Sequence, residues 1–71
     1  MAYYILQDSE DYLVKCYETD LRRATQMAKD YLNSRGWENT QCFTIYKITP
    51  KFPVMRPVRM VNREGWKPID L

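Results

Sequence analysis

The sequence predicts a small α+β domain of ββαβ(β) order, in which one helix packs on one face of a mainly antiparallel sheet. Two β-prone segments flank an acidic turn, a helical pattern follows them, and a third β-prone segment comes after the helix. At 71 residues the chain has room for one small hydrophobic core and therefore for a single domain. The predicted elements are a hairpin at 2–18, a helix at 20–35, a strand at 40–49 and a basic, proline-containing tail at 51–71.

The first two strands are predicted as a hairpin. Residues 2–7 (AYYILQ) and 12–18 (YLVKCYE) are rich in aromatic and β-branched side chains, which favour an extended backbone. The segment between them contains Asp8, Glu10 and Asp11 and is typical of an exposed turn. These carboxylates lack the spacing of a calcium-binding loop, so we interpret them as solubilising charges.

The helix is predicted to begin at an N-cap, either Thr19 or Asp20, and to end before Gly36. The apolar residues that recur along it at intervals of three and four are Leu21, Ala24, Met27, Ala28, Tyr31 and Leu32. Glycine adopts the left-handed C′ conformation at low cost, which assigns Gly36 to the helix end. Trp37 is then placed to pack back on the last helical turn.

The third strand is predicted over residues 40–49 (TQCFTIYKIT), and Pro50 ends it because proline supplies no hydrogen-bond donor to a sheet. A hairpin followed by a helical crossover gives the strand order 2-1-3. In the tail, Pro53, Pro57 and Pro68 leave room for a short edge strand at most, best placed at 58–62.

The predicted strands are apolar on both faces, whereas one helix covers only one face. In the first strand, for example, Tyr3 and Ile5 point to one side and Tyr4 and Leu6 to the other. The second face therefore needs another cover. The alternatives are the chain's own tail, a second copy of the protein or a different partner.

The composition gives no support for catalysis. The chain has no histidine, no glycine-rich phosphate loop and no nucleophile motif. Cys16 and Cys42 lack both the spacing and the companions of a metal site, so we interpret them as free, partly buried strand thiols. We therefore expect a protein that is not an enzyme and that uses no cofactor and no metal.

The sequence also predicts a cytoplasmic protein with no membrane partner. No apolar stretch approaches the roughly 20 residues that cross a bilayer. The N-terminal residues lack the basic and apolar regions of a signal peptide.

Charge is unevenly distributed along the chain. Residues 1–20 carry five carboxylates and one lysine, a net charge of −4, whereas residues 21–71 carry ten cations and four carboxylates, a net charge of +6. Such separation favours charged partners, because it steers their approach.

Two sets of candidate binding residues follow from these patterns. For a protein partner with acidic character, the candidates are strand tyrosines and helix cations, namely Tyr4, Tyr17, Tyr46, Arg22, Arg23 and Lys29. For nucleic acid, the candidates are tail cations and one aromatic residue, namely Arg56, Arg59, Arg63, Trp66 and Lys67. Both patterns also occur on ordinary solvated helices and strands.

The predicted function is that of a small protein-binding module that inhibits or modulates a larger cytosolic host factor or complex. In size the chain is typical of bacteriophage accessory proteins that act in this way, although no residue motif carries this comparison. The alternatives are a small nucleic-acid-binding protein that uses the tail and a homodimeric structural module.

Overall fold

The computed structural model describes residues 2–9, 13–50 and 54–69, and for residues 13–17 and 54 it describes the backbone only. Within these residues the elements are β1 (Tyr3–Asp8), β2 (Leu13–Glu18), α1 (Leu21–Leu32), β3 (Cys42–Thr49), β4 (Val54–Asn62) and β5 (Gly65–Pro68). The strands form one antiparallel sheet of order β2-β1-β3-β4-β5, with α1 against one face. The predicted α+β class and the predicted order 2-1-3 of the first three strands are confirmed.

The hydrophobic core lies between α1 and one face of the sheet. Its members are Ala24, Ala28 and Leu32 of α1 and Leu6, Phe43, Ile45 and Val61 of the sheet, none more than 2% exposed. The strand register explains this grouping, because Leu6 lies opposite Ile45 and Phe43 lies opposite Val61. The apolar helix face predicted from the sequence is therefore confirmed.

Side chains cap both ends of α1. At the N-terminus Oδ1 of Asp20 accepts a hydrogen bond from the backbone N–H of Arg22 at 2.9 Å, as the sequence predicts. The helix ends at Leu32, three residues before the predicted end at residue 35. The amide of Asn33 and the hydroxyl of Ser34 donate to carbonyl oxygens of the last turn, which ends the helix there.

Gly36 has a φ of +99°, but it lies in the loop after the helix. The prediction that it occupies the C′ position is therefore wrong. Its backbone N–H donates to Oε2 of Glu38 at 3.0 Å. Trp37 does pack back as predicted, with its ring centroid 5.3 Å from that of Tyr31 and 5.4 Å from that of Phe43.

The C-terminal segment is more regular than the sequence predicted. Instead of a short edge strand at 58–62 it forms β4, of nine residues, and β5, of four, joined as a hairpin. β4 pairs with β3 from Val54 to Asn62 and so lies inside the sheet. β4 and β5 thus extend the sheet rather than cover it, so the first of the three covers considered for the second face, the chain's own tail, is wrong for these residues. Phe52, which also belongs to the predicted tail, lies outside the described residues.

Pro57 is accommodated at an irregularity in the pairing of β3 with β4. Ile45 lies opposite Arg59 and Tyr46 lies opposite Pro57, so Val58 is an extra residue on β4. A bulge interrupts the regular ladder of hydrogen bonds, and proline is tolerated within sheets at such positions. The bulge is the physical reason that a proline-containing segment forms an internal strand.

The turn between β4 and β5 is stabilised by its own asparagine. Oδ1 of Asn62 accepts hydrogen bonds from the backbone N–H groups of Glu64 and Gly65, each at 2.9 Å. The chain then reverses, and Trp66 lies opposite Val61. Because Val61 belongs to the core, this register places Trp66 on the α1 side of the sheet.

Candidate functional site

The sheet face opposite α1 carries apolar side chains from three strands. The register places Tyr3 opposite Ile48 and Ile5 opposite Tyr46, and directly opposed residues share a face. Met55 and Met60 of β4 lie on the same face, because the β3 residues opposite them point to that face. We refer to Tyr3, Ile5, Tyr46, Ile48, Met55 and Met60 together as the open face.

The residues of the open face are large and incompletely buried. Met55 and Met60 are each 43% exposed, and the other four are half-buried. None of the six belongs to the core or packs against it. Among the side chains that the structure describes on this face there is no carboxylate, whereas Lys67, opposite Met60, adds a cation at the β5 edge.

The structure does not bring the three predicted binding tyrosines together. Tyr46 lies at the centre of the open face, between Ile5 and Pro57 on the neighbouring strands. Tyr4 lies on the α1 side, where it packs against the core. Tyr17 belongs to β2, and its side chain is outside the described part of the structure.

A second surface lies on the α1 side, between the helix and the β4–β5 hairpin. It is a groove of about 420 Å³, which we call the basic groove. The residues that line it are Leu21, Arg22, Thr25, Gln26, Lys29, Arg59 and Trp66. Three of them are cations and none is a carboxylate, and the volume lies within the range of small-ligand sites.

Arg59 and Trp66 are stacked in the basic groove. The guanidinium carbon of Arg59 lies 3.6 Å from the centroid of the Trp66 ring. Nη1 of Arg59 also donates to Oγ1 of Thr25 at 2.9 Å, and this hydroxyl donates to the carbonyl oxygen of Leu21 at 2.7 Å. The guanidinium is therefore held between helix and sheet, while Trp66 remains 49% exposed.

The predicted helix cations are divided between the groove and open solvent. Arg22 and Lys29 line the basic groove, whereas Arg23 is exposed and does not. Gln26 donates from Nε2 to Oδ1 of Asp30 at 2.9 Å, which holds that carboxylate on the helix surface.

Only two of the five predicted nucleic-acid-binding residues meet in the groove, Arg59 and Trp66. Arg56 lies farther back along β4, opposite Lys47, and is exposed. Lys67 belongs to the open-face side of β5. The structure thus separates residues that the sequence grouped together.

Arg63, the fifth of these residues, forms hydrogen bonds to backbone groups of the protein itself. Its Nε, Nη1 and Nη2 donate to the carbonyl oxygens of Leu32, Thr40 and Trp37 at 3.0, 2.8 and 2.9 Å. These bonds join the β4–β5 turn to the loop between α1 and β3. All three nitrogens of the guanidinium are therefore engaged in the fold.

The loop between α1 and β3 also holds a carboxylate whose acidity is changed. The backbone N–H of Glu38 itself is the largest cause that lowers the pKa of this carboxyl, followed by the N–H of Gly36. Burial acts in the opposite direction and raises the pKa, and the positive charge of Arg63, the smallest of the four causes, lowers it. These interactions are typical of a loop that is stabilised by one of its own carboxylates. Glu38 lines neither the open face nor the basic groove.

The described residues contain no group of three His, Cys, Asp or Glu side chains that could hold a metal ion. Cys42 is a free, half-buried thiol on β3, as predicted, and the Cys16 side chain lies outside the described residues. No helix in the described ranges is long and apolar enough to cross a membrane.

Sequence reasoning missed Thr25 as a site residue. In the sequence, Thr25 lies beside the apolar face of α1, and this position indicates only a residue at the border between the core and the solvent-exposed side of the helix. The missing information was the β4–β5 hairpin, which brings Arg59 to the helix. The presence of Asn62 and Gly65 in the sequence could have predicted that hairpin, because asparagine and glycine favour tight turns.

The chain matches no protein-family model, and neither the curated proteins nor the solved structures include one that is significantly similar to it. The two surfaces described above are therefore the features of the protein that bear on its function. They lie on opposite sides of one sheet.

Proposed function

We propose that this protein is a small, non-enzymatic module that docks through its open face on a larger cytoplasmic protein and inhibits or modulates it. This is the action expected of a phage-type accessory protein on a host factor. The observation that supports the proposal is the apolar sheet face that no described segment of the chain covers.

A sheet face of this composition that no described segment covers is unusual for a protein that acts alone. Soluble monomers rarely expose large continuous apolar patches, because apolar surface in water is unfavourable. Tyrosine and methionine are enriched in protein interfaces, tyrosine for its polar tip and methionine for its adaptable shape. The centre of the open face has both, with Tyr46 between strands that carry Met55 and Met60.

The charges around the open face favour a partner other than a second copy of the chain. Lys67 stands at its β5 edge, and the described side chains of this face include no carboxylate. A second copy of the chain would therefore offer the lysine no acidic counterpart from its described open-face residues. A different protein with an apolar centre and carboxylates on one side fits better, because opposite charges at the rim steer association and fix its orientation.

Site-specific crosslinking tests this docking surface. A photoreactive amino acid replaces Tyr46 in one variant and Thr49 in another, and both are produced in the cells where the protein acts. Thr49 belongs to the same strand but is exposed on the α1 side, so it is a matched control. We expect a discrete adduct with one larger protein from position 46 and none from position 49.

A charge substitution gives the second arm of the test. Tyr46→Lys should abolish the complex with the crosslinked protein, whereas Thr49→Lys, which adds the same charge on the other face, should leave it intact. Adducts only between two copies of the chain would assign the open face to a homodimer and reject the proposal. Equal adducts from both positions would also reject it.

A further inference from the structure

We propose that the basic groove binds single-stranded nucleic acid, with Trp66 stacking on a base and with Arg22, Lys29 and Arg59 contacting phosphates. The groove lies on the side of the sheet that carries α1, opposite to the open face. This inference therefore goes beyond the proposed protein docking and does not depend on it.

The exposure of Trp66 is the first argument. Tryptophan offers the largest apolar surface of any side chain and is usually mostly buried, yet Trp66 is 49% exposed in a chain with little core to spare. An exposed aromatic ring beside cations is the combination by which proteins bind unpaired bases, since every base has a face on which a ring can stack. A paired base in a duplex does not offer that face.

The fixed position of Arg59 is the second argument. Thr25 accepts from Nη1 of Arg59, and the guanidinium lies against the Trp66 ring. One of its five N–H donors is used by Thr25, which leaves others for a phosphate oxygen. Because the side chain is already held in place, binding requires less loss of conformational entropy.

The spacing of the cations is the third argument. Lys29 lies seven positions after Arg22 on α1, about 10 Å along the helix axis. Cations spread along the helix in this way can contact successive phosphates of one strand that runs along the groove. No carboxylate lines the groove to oppose such a chain.

Fluorescence anisotropy with labelled twelve-nucleotide oligo(dT) and oligo(U) tests this site in the full-length protein. We expect binding at low salt, with log K falling against log salt at a slope of about −2 for three phosphate contacts. Trp66→Ala should weaken binding about tenfold or more. The ratio between the DNA and RNA affinities identifies which of the two strands the groove prefers.

Two arginine variants provide the matched control. Arg22→Ala should make the salt slope shallower by about 0.7, whereas Arg23→Ala removes the same charge from an adjacent position outside the groove and should not. Far-ultraviolet circular dichroism and urea unfolding show that each variant is folded. In case Trp66→Ala unfolds, Thr25→Val provides a second variant, because it releases Arg59 and should weaken binding while Trp66 stays in place.

A fluorescence signal locates the contact. Trp37→Phe leaves Trp66 as the sole tryptophan, and its emission should be quenched when the oligonucleotide binds. The proposal is rejected if neither oligonucleotide binds at low salt, or if Arg22→Ala and Arg23→Ala have equal effects. It is also rejected if an acidic peptide of equal charge binds as tightly as the oligonucleotides and quenches Trp66 equally.

Discussion

Arg63 and Thr40 are joined by a hydrogen bond of 2.8 Å, from Nη1 of the guanidinium to the backbone carbonyl oxygen. Two further bonds from the same side chain reach the carbonyl oxygens of Leu32 and Trp37. The end of α1, the loop that follows it and the β4–β5 turn are thus held by one residue. Its loss should affect stability rather than binding.

Arg63→Ala should lower the free energy of unfolding by about 2 kcal/mol, because carbonyl groups lose charge-assisted hydrogen bonds. In a domain of this size each 1 kcal/mol lowers the melting temperature by roughly 4–8 °C. Urea and thermal unfolding measure the change. Arg56→Ala, an exposed arginine of β4, is the control and should stay within about 0.5 kcal/mol of the original protein. Equal losses in the two variants would contradict the role assigned to Arg63.

Glu38→Gln should change how stability depends on pH. The backbone N–H groups of Glu38 and Gly36 hold the pKa of this carboxyl below its ordinary value of 4.5. The carboxylate therefore stabilises the fold above the unfolded pKa, and this contribution is lost as the pH falls through the lower, folded pKa. Urea unfolding should show the variant less stable at neutral pH, with a difference that shrinks below pH 4.5. A difference that is constant with pH would show that the negative charge is not what stabilises the loop.

Ala28→Leu should destabilise the contact between α1 and the sheet. Ala28 is fully buried, and a larger side chain forces the helix away from its neighbours at a cost of about 1–3 kcal/mol. Arg23→Leu places the same side chain on the exposed surface of the same helix and should have little effect. Thermal unfolding of both variants gives the comparison. A stable Ala28→Leu variant would mean that the core has unfilled space at this position.

The first three strands and the helix were predictable because their signals are local. The apolar spacing from Leu21 to Leu32 identifies the buried helix face, and the pair Thr19 and Asp20 marks its start, where Asp20 is the N-cap in the structure. The alternation of Tyr3 with Tyr4 likewise predicted that the first strand would be apolar on both faces. These features depend on residues close together in the chain.

The β4–β5 hairpin was not predictable in the same way. From the sequence, Pro57 predicts that this segment is not an internal strand. The strand forms because of the bulge at Val58, and that bulge depends on the pairing of β4 with β3. Arg22 and Arg59 were each recognised as candidate binding residues, but for different partners. Their meeting in one groove follows from long-range pairing, which composition and periodicity do not encode.

The pairing of β5 with β4 has a further consequence for the concentrated protein. β5 pairs with Arg59 to Asn62, and the backbone N–H of Ile69 donates to the carbonyl oxygen of Val58, so in the described residues no strand pairs with the outer edge of β4 before Val58. Arg56 lies on this stretch of β4, and its exposed charge discourages close approach of another chain. A charge at this place hinders strand addition, which is the first step toward fibrils. The apolar open face therefore borders, on β4, a stretch of strand edge that discourages edge-to-edge pairing.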